Sequence, residues 1–363
     1  MRRTAALIVG GGPAGSAAAI TLARAGVRPE LIERSAGERD VVCGGFLGWD
    51  ALAALRRLGI DAAELGARPI ERLRLYSGNR TIEAKLPKRA AGLSRRRLDS
   101  ALLRAAEAAG ATVIGGRSAR AAEGPRQIRL DDGEEVEAES LFLATGKHEL
   151  RGLSRDLDGR REAPAAGLRT ALPGTPALEA ALAGRIELHL FDEGYAGLLL
   201  QEDGSANLCL SISRRRLAAA GGPEALLKDL ACEAPTLAHR LGSGLPGAWD
   251  AIAGVPYGWR ARETGPGLFR IGDQAAVIAS LAGDGIAVAL ASGTAAAEAM
   301  LSGGPAAAAD FQRRFAHRAA RPLAVAERLR RGAEGNTSRK LMFGLLSAIP
   351  ALVPIAARLT RIG

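Results

Sequence analysis

The stretch Ala5-Ala6-Leu7-Ile8-Val9-Gly10-Gly11-Gly12-Pro13-Ala14-Gly15 decides the fold. Its first five residues are an apolar run of the kind that makes a buried parallel strand. A glycine turn follows, then a helix predicted over 14–25 and stopped by Gly26. Residues 29–33 read as a second strand. The result is a βαβ unit with G-x-G-x-x-G at Gly10, Gly12 and Gly15, and an acid, Glu33, 23 positions after Gly10. Gly10 permits the tight turn, Gly12 lets backbone N–H groups approach a pyrophosphate, and Gly15 lets helix and strand pack closely. Pro13 and Ala14 open the helix, whose N-terminal dipole favours an anion. Glu33, with Arg34 beside it, is placed to meet an adenosine ribose. A dinucleotide site is expected here.

A second element lies far along the chain. Gly267-Leu268-Phe269-Arg270-Ile271-Gly272-Asp273 reads as a strand ending in Gly-Asp. Gly283-Asp284-Gly285-Ile286 and a long Ala-rich helix to about residue 300 follow. A nicotinamide-only domain has no need of this element. Together these motifs resemble the FAD-dependent oxidoreductases of the geranylgeranyl reductase and p-hydroxybenzoate hydroxylase-like superfamily. The resemblance implies that Gly272 and Asp273 hold the flavin ribityl chain. It also implies that Gly283, Asp284, Gly285 and Ile286 aim backbone N–H groups at the flavin N1–C2=O edge, where they would stabilise an anionic reduced flavin.

The resemblance continues through the middle of the chain. Ser94-Arg95-Arg96-Arg97-Leu98-Asp99 matches the family's Arg-x-x-Leu-Asp element, which implies an FAD contact by Arg95. Residues 111–114 read as a strand, the Asp131-Asp132-Gly133 turn as part of a small antiparallel meander, and residues 141–146 as the strand ending in Thr145 and Gly146 near the adenosine. That strand runs on into Lys147-His148 where the aromatic hydroxylases carry Asp-Gly. Their mode of binding pyridine nucleotide is therefore not carried over, and the electron donor stays open between NAD(P)H and another reductant. Without a C-x-x-C pair or a second βαβ fingerprint, a disulfide reductase is excluded.

Composition narrows the rest. The chain has 363 residues, 49 Lys+Arg, 39 Asp+Glu and a net charge of +10. Residues 301–363 hold eleven bases and three acids, so this segment carries +8 of the total. With aromatics at only 4%, a nucleic-acid binder is not expected. Three scattered cysteines and four histidines without ligand spacing argue against a disulfide framework or a metal site. A cytoplasmic setting is expected, because the glycine turn interrupts what would otherwise pass for an export signal after Arg2-Arg3.

The expected architecture is α/β: a glutathione-reductase-type Rossmann FAD-binding fold with an inserted antiparallel β substrate domain. The FAD-binding part is assigned to residues 1–66, 88–164 and 258–302, the substrate sheet to 67–87 and 165–257, and a C-terminal helical cap to 303–363. Residues 70–86 read as a hairpin around Ser77-Gly78-Asn79, and strands are predicted at 185–190, 196–200 and 206–210. Gly194-Tyr195 matches the start of the geranylgeranyl reductases' Tyr-x-Trp-x-Phe-Pro element, which makes Tyr195 a candidate pocket residue. Cys43-Gly44-Gly45 resembles their Cys-Gly-Gly segment near the flavin; the alternative is a small thiol buried in a turn. His148 and His189 are expected to be structural. Trp249 and Trp259 are not in the flavin halogenases' Trp-x-Trp-x-Ile-Pro arrangement.

Residues 341–357 contain no charge, but Pro350 and Pro354 interrupt them and they fall short of the about 20 apolar residues that span a bilayer. They are expected to cap the FAD domain, with the basic segment available for peripheral contact with anionic membrane at its inner face. The expected activity is hydride delivery from flavin N5 to a carbon–carbon double bond of a lipid, isoprenoid or polyketide-like substrate. A monooxygenase acting through a C4a-hydroperoxyflavin is the alternative, and a non-catalytic flavoprotein or electron-transfer partner is the second.

Overall fold

A computed structural model describes residues 2–157, 165–242 and 248–362. The end of the segment assigned to 88–164 lies outside the described residues.

The opening motif folds as its sequence dictates. Strand Arg2–Val9 leads through the glycine turn into helix Pro13–Arg24 and returns as strand Glu30–Glu33, paired in parallel with the first. These sit in a seven-stranded sheet whose order is Thr112–Gly115, Glu30–Glu33, Arg2–Val9, Glu135–Leu143, Gln127–Leu130 and Ala119–Gly124. Leu268–Arg270 lies alongside the end of Glu135–Leu143, so the distant Gly-Asp strand joins the first sheet. Helices Pro13–Arg24, Arg95–Ala109 and Gly285–Gly303 cover one face, where Ile8, Ile20, Leu22, Leu102, Phe142, Phe269 and Leu290 form the main core. Fully burying a side chain of this size contributes about 1.5–3 kcal/mol, which makes this layer the rigid base of the site.

The second sheet has eight strands, in the order Asp250–Ala253, Ala165–Leu172, Ala206–Ser213, Gly194–Leu200, Gly184–Phe191, Arg68–Ser77, Arg80–Gly92 and Phe46–Leu47. It draws on Phe46–Leu47 and runs on to Gly92 as well as using residues 67–87 and 165–257. Its pairs are antiparallel except Gly184–Phe191 with Arg68–Ser77, which is parallel. The sheet is also not bare. Helices Pro176–Leu182, Arg214–Ala220, Pro223–Glu233 and Pro235–Leu241 cover its outer face with Leu226, Leu227, Leu230 and Leu237, which pack on Leu198, Leu208 and Leu210.

The C-terminal segment does more than cap the FAD domain. Helix Ala308–Glu334 packs Phe311, Phe315 and Leu323 into the main core. Helices Asn336–Ala348 and Leu352–Leu359 instead lie against the second sheet, where Phe343 and Val353 join Leu75, Ile82, Leu190 and Tyr195. By length and composition the run Gly285–Glu334 passes for a membrane span, but half of its most apolar window is buried inside the molecule.

Candidate functional site

One cavity of about 1510 Å³ runs between the two sheets. Its floor begins at the glycine turn. Gly10 has φ +110°, and a Cβ there would stand 2.4 Å from the Ala144 carbonyl oxygen; at Gly15 it would stand 1.9 Å from the Gly10 carbonyl oxygen. Backbone therefore fills the space a side chain would need, and only glycine fits at either position. The helix Pro13–Arg24 has no side-chain cap, so its first N–H groups are left to the cavity. Helix Gly285–Gly303 starts uncapped as well, whereas Ser94 caps Arg95–Ala109 by accepting from the Arg97 N–H. Two of the three helices on this face thus present bare positive N-termini, and both start at the cavity, an arrangement suited to a pyrophosphate at one end and an electron-rich ring edge at the other.

Polar residues line this half. Glu33 accepts from the Gly11 N–H (2.7 Å) and the Ser35 N–H (2.9 Å), which fixes its carboxylate at the end of the second strand. Arg34 donates to His148 Nε2 at 2.9 Å. Burial lowers the pKa of His148 and the nearby Arg34 lowers it further, which favours the neutral ring. Arg95 is held by two 2.8 Å bonds to Asp99, and its Nη2 would lie 3.4 Å from a Cβ on Gly12. Burial alone would lower the Arg95 pKa, but the Asp99 carboxylate outweighs it and raises it. Lys147 Nζ stands 3.7 Å from Asp273 Oδ2, and that carboxylate likewise overcomes burial and keeps the ammonium charged. Arg155 ties the same corner together through the Lys147 and Asp273 carbonyls.

Of the residues singled out from sequence, Gly10, Gly12, Pro13, Ala14, Glu33, Arg34, Cys43, Gly44, Arg95, Thr145, Gly146, Tyr195, Gly272, Asp273, Gly283, Gly285 and Ile286 line this one cavity. Gly15, Gly45 and Asp284 do not. Gly15 lies beneath the turn, and Gly45 turns back to donate to Cys43 Sγ at 3.5 Å. The side chain of Asp284 is fully buried and points away, accepting from Arg361 Nη1 (2.6 Å) and the Ile362 N–H (3.0 Å). Burial raises its pKa to about 6 against the pull of Arg361. The Asp284 carboxylate is therefore not what the 283–286 turn offers the cavity.

The other half of the cavity is apolar by strand alternation. Ile186, Leu188 and Leu190 point inward from one strand, Leu73 and Leu75 from its neighbour, and Tyr195, Gly197 and Leu199 from the next. The intervening Glu187 and His189 point outward, where Glu187 pairs with Arg240. His189 is thus a buried residue of the far face. One polar cluster interrupts the apolar half, and sequence reading missed most of it. Tyr195 and Tyr257 hydrogen bond to the same Ser280 hydroxyl, Tyr257 at 2.7 Å, and Ser211 lies 3.4 Å from the Tyr257 hydroxyl. Ser280 is three residues before Gly283, so the cluster stands beside the uncapped start of helix Gly285–Gly303. Burial raises the Tyr195 pKa well above its ordinary value and keeps it a proton donor. Among the described residues no group of three or more His, Cys, Asp or Glu could hold a metal ion.

Residues 3–152 match the FAD binding domain family. Over these residues the chain carries an FAD-binding domain, and FAD is its cofactor. Among curated proteins it is 30% identical to menaquinone reductase of Mycobacterium tuberculosis over 228 residues, 58% of this chain and 56% of that one. It is 31% identical over 182 residues, 47% of each chain, to AqdB1 of Rhodococcus erythropolis, provisionally named a 2-heptyl-3-hydroxy-4(1H)-quinolone synthase. The matches span about half the length of these relatives. Among solved structures, a geranylgeranyl bacteriochlorophyll reductase-like protein of Thermoplasma acidophilum has a TM-score of 0.74 at 20% identity, covering 94% of this chain and 90% of that one. That likeness is one of fold.

Proposed function

We propose that the protein is an FAD-dependent reductase that saturates a carbon–carbon double bond in a large apolar substrate. The observation that carries this reading is the division of one continuous cavity. Its charged and glycine-lined half suits FAD, and its leucine-lined half holds a single hydroxyl cluster where the two halves meet. The glycine cradle, the two uncapped helix starts and the fixed Glu33, Arg95 and Asp273 fit the cofactor, which supplies the redox equivalents when bound.

The chain's own residues have three tasks. Leu73, Leu75, Ile186, Leu188, Leu190 and Leu199 bind and orient the apolar body of the substrate and exclude water. Adding a hydride to a double bond requires a proton on the neighbouring carbon, and Tyr195 and Tyr257 hold protons at their hydroxyls, linked through Ser280 Oγ. A carbonyl next to the double bond would accept a hydrogen bond from the same hydroxyls, which polarises the bond toward reduction. The 30% identity to a menaquinone reductase supports a substrate of the isoprenoid-quinone kind.

The test is turnover of a polyprenyl quinone by chemically reduced holoprotein, with and without oxygen. A product formed in the absence of oxygen that keeps two added hydrogens on its prenyl chain after its ring is reoxidised in air bears the proposal out. A product gaining an oxygen atom, formed only in air, replaces it with a monooxygenase. A holoprotein that is reduced and reoxidised without changing any apolar substrate is an electron carrier.

A further inference from the structure

The two last helices are apolar on two sides. On helix Asn336–Ala348, Met342, Phe343 and Leu346 face the second sheet and pack there. Leu341 and Leu345, one turn apart, face outward and are 72% and 53% exposed. Ile349 continues that side at 48%, and Ile355 on helix Leu352–Leu359 is 47% exposed. These are four of the five large apolar side chains that stand exposed among the described residues; the fifth is Leu301. Such residues scattered singly need no explanation, but these are gathered on one bent pair of helices.

Two further observations say what covers this surface. Leu345 and Ile355 are exposed and at the same time line the cavity, so they form its rim and the patch surrounds the mouth of the apolar half. Charge is one-sided as well: residues 335–363 contain four bases, Arg339, Lys340, Arg358 and Arg361, and no acid. Arg361 is committed to Asp284 and Arg339 is buried, whereas Lys340 and Arg358 are exposed and make no ion pair among the described residues. Lys340 adjoins Leu341, and Arg358 is three residues from Ile355 on the same helix face.

We infer that this helix pair docks the protein on the surface of an anionic lipid bilayer, with the cavity mouth facing the acyl chains. The helices have 13 and 8 residues and are bent by 116° to each other. At ~1.5 Å per residue they reach about 20 and 12 Å, short of a hydrocarbon core of about 30 Å. They lie in the interface rather than cross it, with leucines and isoleucines in the acyl boundary and Lys340 and Arg358 at the phosphates. The inference rests on the proposed function only for why a substrate would arrive from lipid.

The experiment is co-sedimentation of the full-length FAD-loaded protein with vesicles of phosphatidylglycerol and phosphatidylcholine, against phosphatidylcholine alone, at low and high salt. Binding is expected on the anionic vesicles and should weaken about fivefold with loss of each base. Leu341→Gln with Leu345→Gln should lower it by about an order of magnitude or more while FAD content is kept. Lys340→Glu with Arg358→Glu changes only exposed side chains and serves if the first variant does not fold. Wild-type protein that stays in solution with anionic vesicles at low salt overturns the inference. So does equal binding by wild type and both variants. A dimer in solution that the leucine variant turns into a monomer assigns the patch to a second copy and also overturns it. No turnover is measured, so a failure here leaves the reductase assay on detergent-dispersed substrate standing, and the reverse also holds.

Discussion

Replacing Arg361 with alanine should cost far more stability at pH 8 than at pH 5. Its guanidinium bonds Asp284, lies 4.5 Å from the centre of the Trp49 ring and reaches the Ala282 carbonyl at 3.3 Å. The Asp284 carboxyl is fully buried, and its pKa of about 6 against an ordinary 3.8 means that burial outweighs even a paired arginine, by about 3 kcal/mol. The sign follows from the raised value. What Asp284 contributes is fully present below its ordinary pKa and is lost as pH rises through about 6. Without Arg361 the folded-state pKa climbs further, so the loss continues to higher pH.

At pH 8 the variant leaves a buried carboxylate unpaired or forces it to take up a proton, and a loss of about 3–5 kcal/mol is expected. At pH 5 Asp284 is mostly protonated in both proteins. Only the ring and carbonyl contacts then disappear, worth about 1–2 kcal/mol. Urea unfolding of holoprotein at the two pH values, followed by tryptophan fluorescence, measures the difference. Adding Asp284→Asn to Arg361→Ala should abolish the excess at pH 8. Equal losses at both pH values, or less than about 1 kcal/mol at pH 8, would refute the reasoning.

Gly15→Ala places a methyl group 1.9 Å from a backbone oxygen, so the purified variant should lose most of its FAD, read as the flavin-to-protein absorbance ratio. Asp273→Ala should weaken flavin retention and leave Lys147 without its carboxylate partner; unchanged flavin affinity by fluorescence titration would remove Asp273 from the cofactor site. Tyr195→Phe keeps the ring and removes one donor, so kcat should fall by about 10²-fold with FAD binding intact, and combination with Tyr257→Phe should cost more; wild-type kcat in the double variant would exclude the cluster as proton source. Glu187, held down to about 2 by His189 and Arg240 despite burial, contributes stability that is complete above its ordinary 4.5 and is lost as pH falls through about 2. Glu187→Gln should therefore flatten the acid limb of the thermal-stability profile, and an unaltered limb would contradict that.

The sequence by itself determined the cofactor half. A pyrophosphate cradle needs glycines at fixed spacing after a strand and before a helix, and an acid at the end of the next strand. All of these fall within 33 residues, so local order carries them. The Gly272-Asp273 strand was legible for the same reason, as was the strand at residues 185–190. What the sequence did not determine is everything made by contact between distant segments. Tyr195, Tyr257 and Ser280 share a hydroxyl network across 85 residues of chain, and no spacing rule announces it. Asp284 sits in a cofactor motif, yet its carboxylate turns to Arg361, 77 residues on, because the 361–362 segment folds back beneath that turn. The last two helices read as a cap, and only the tertiary structure makes them a wall and rim of the cavity. An apolar helix face can be read from sequence, while the packing of the whole chain decides whether a residue on it is buried against the protein's own sheet, as Phe343 is, or left exposed, as Leu341 is.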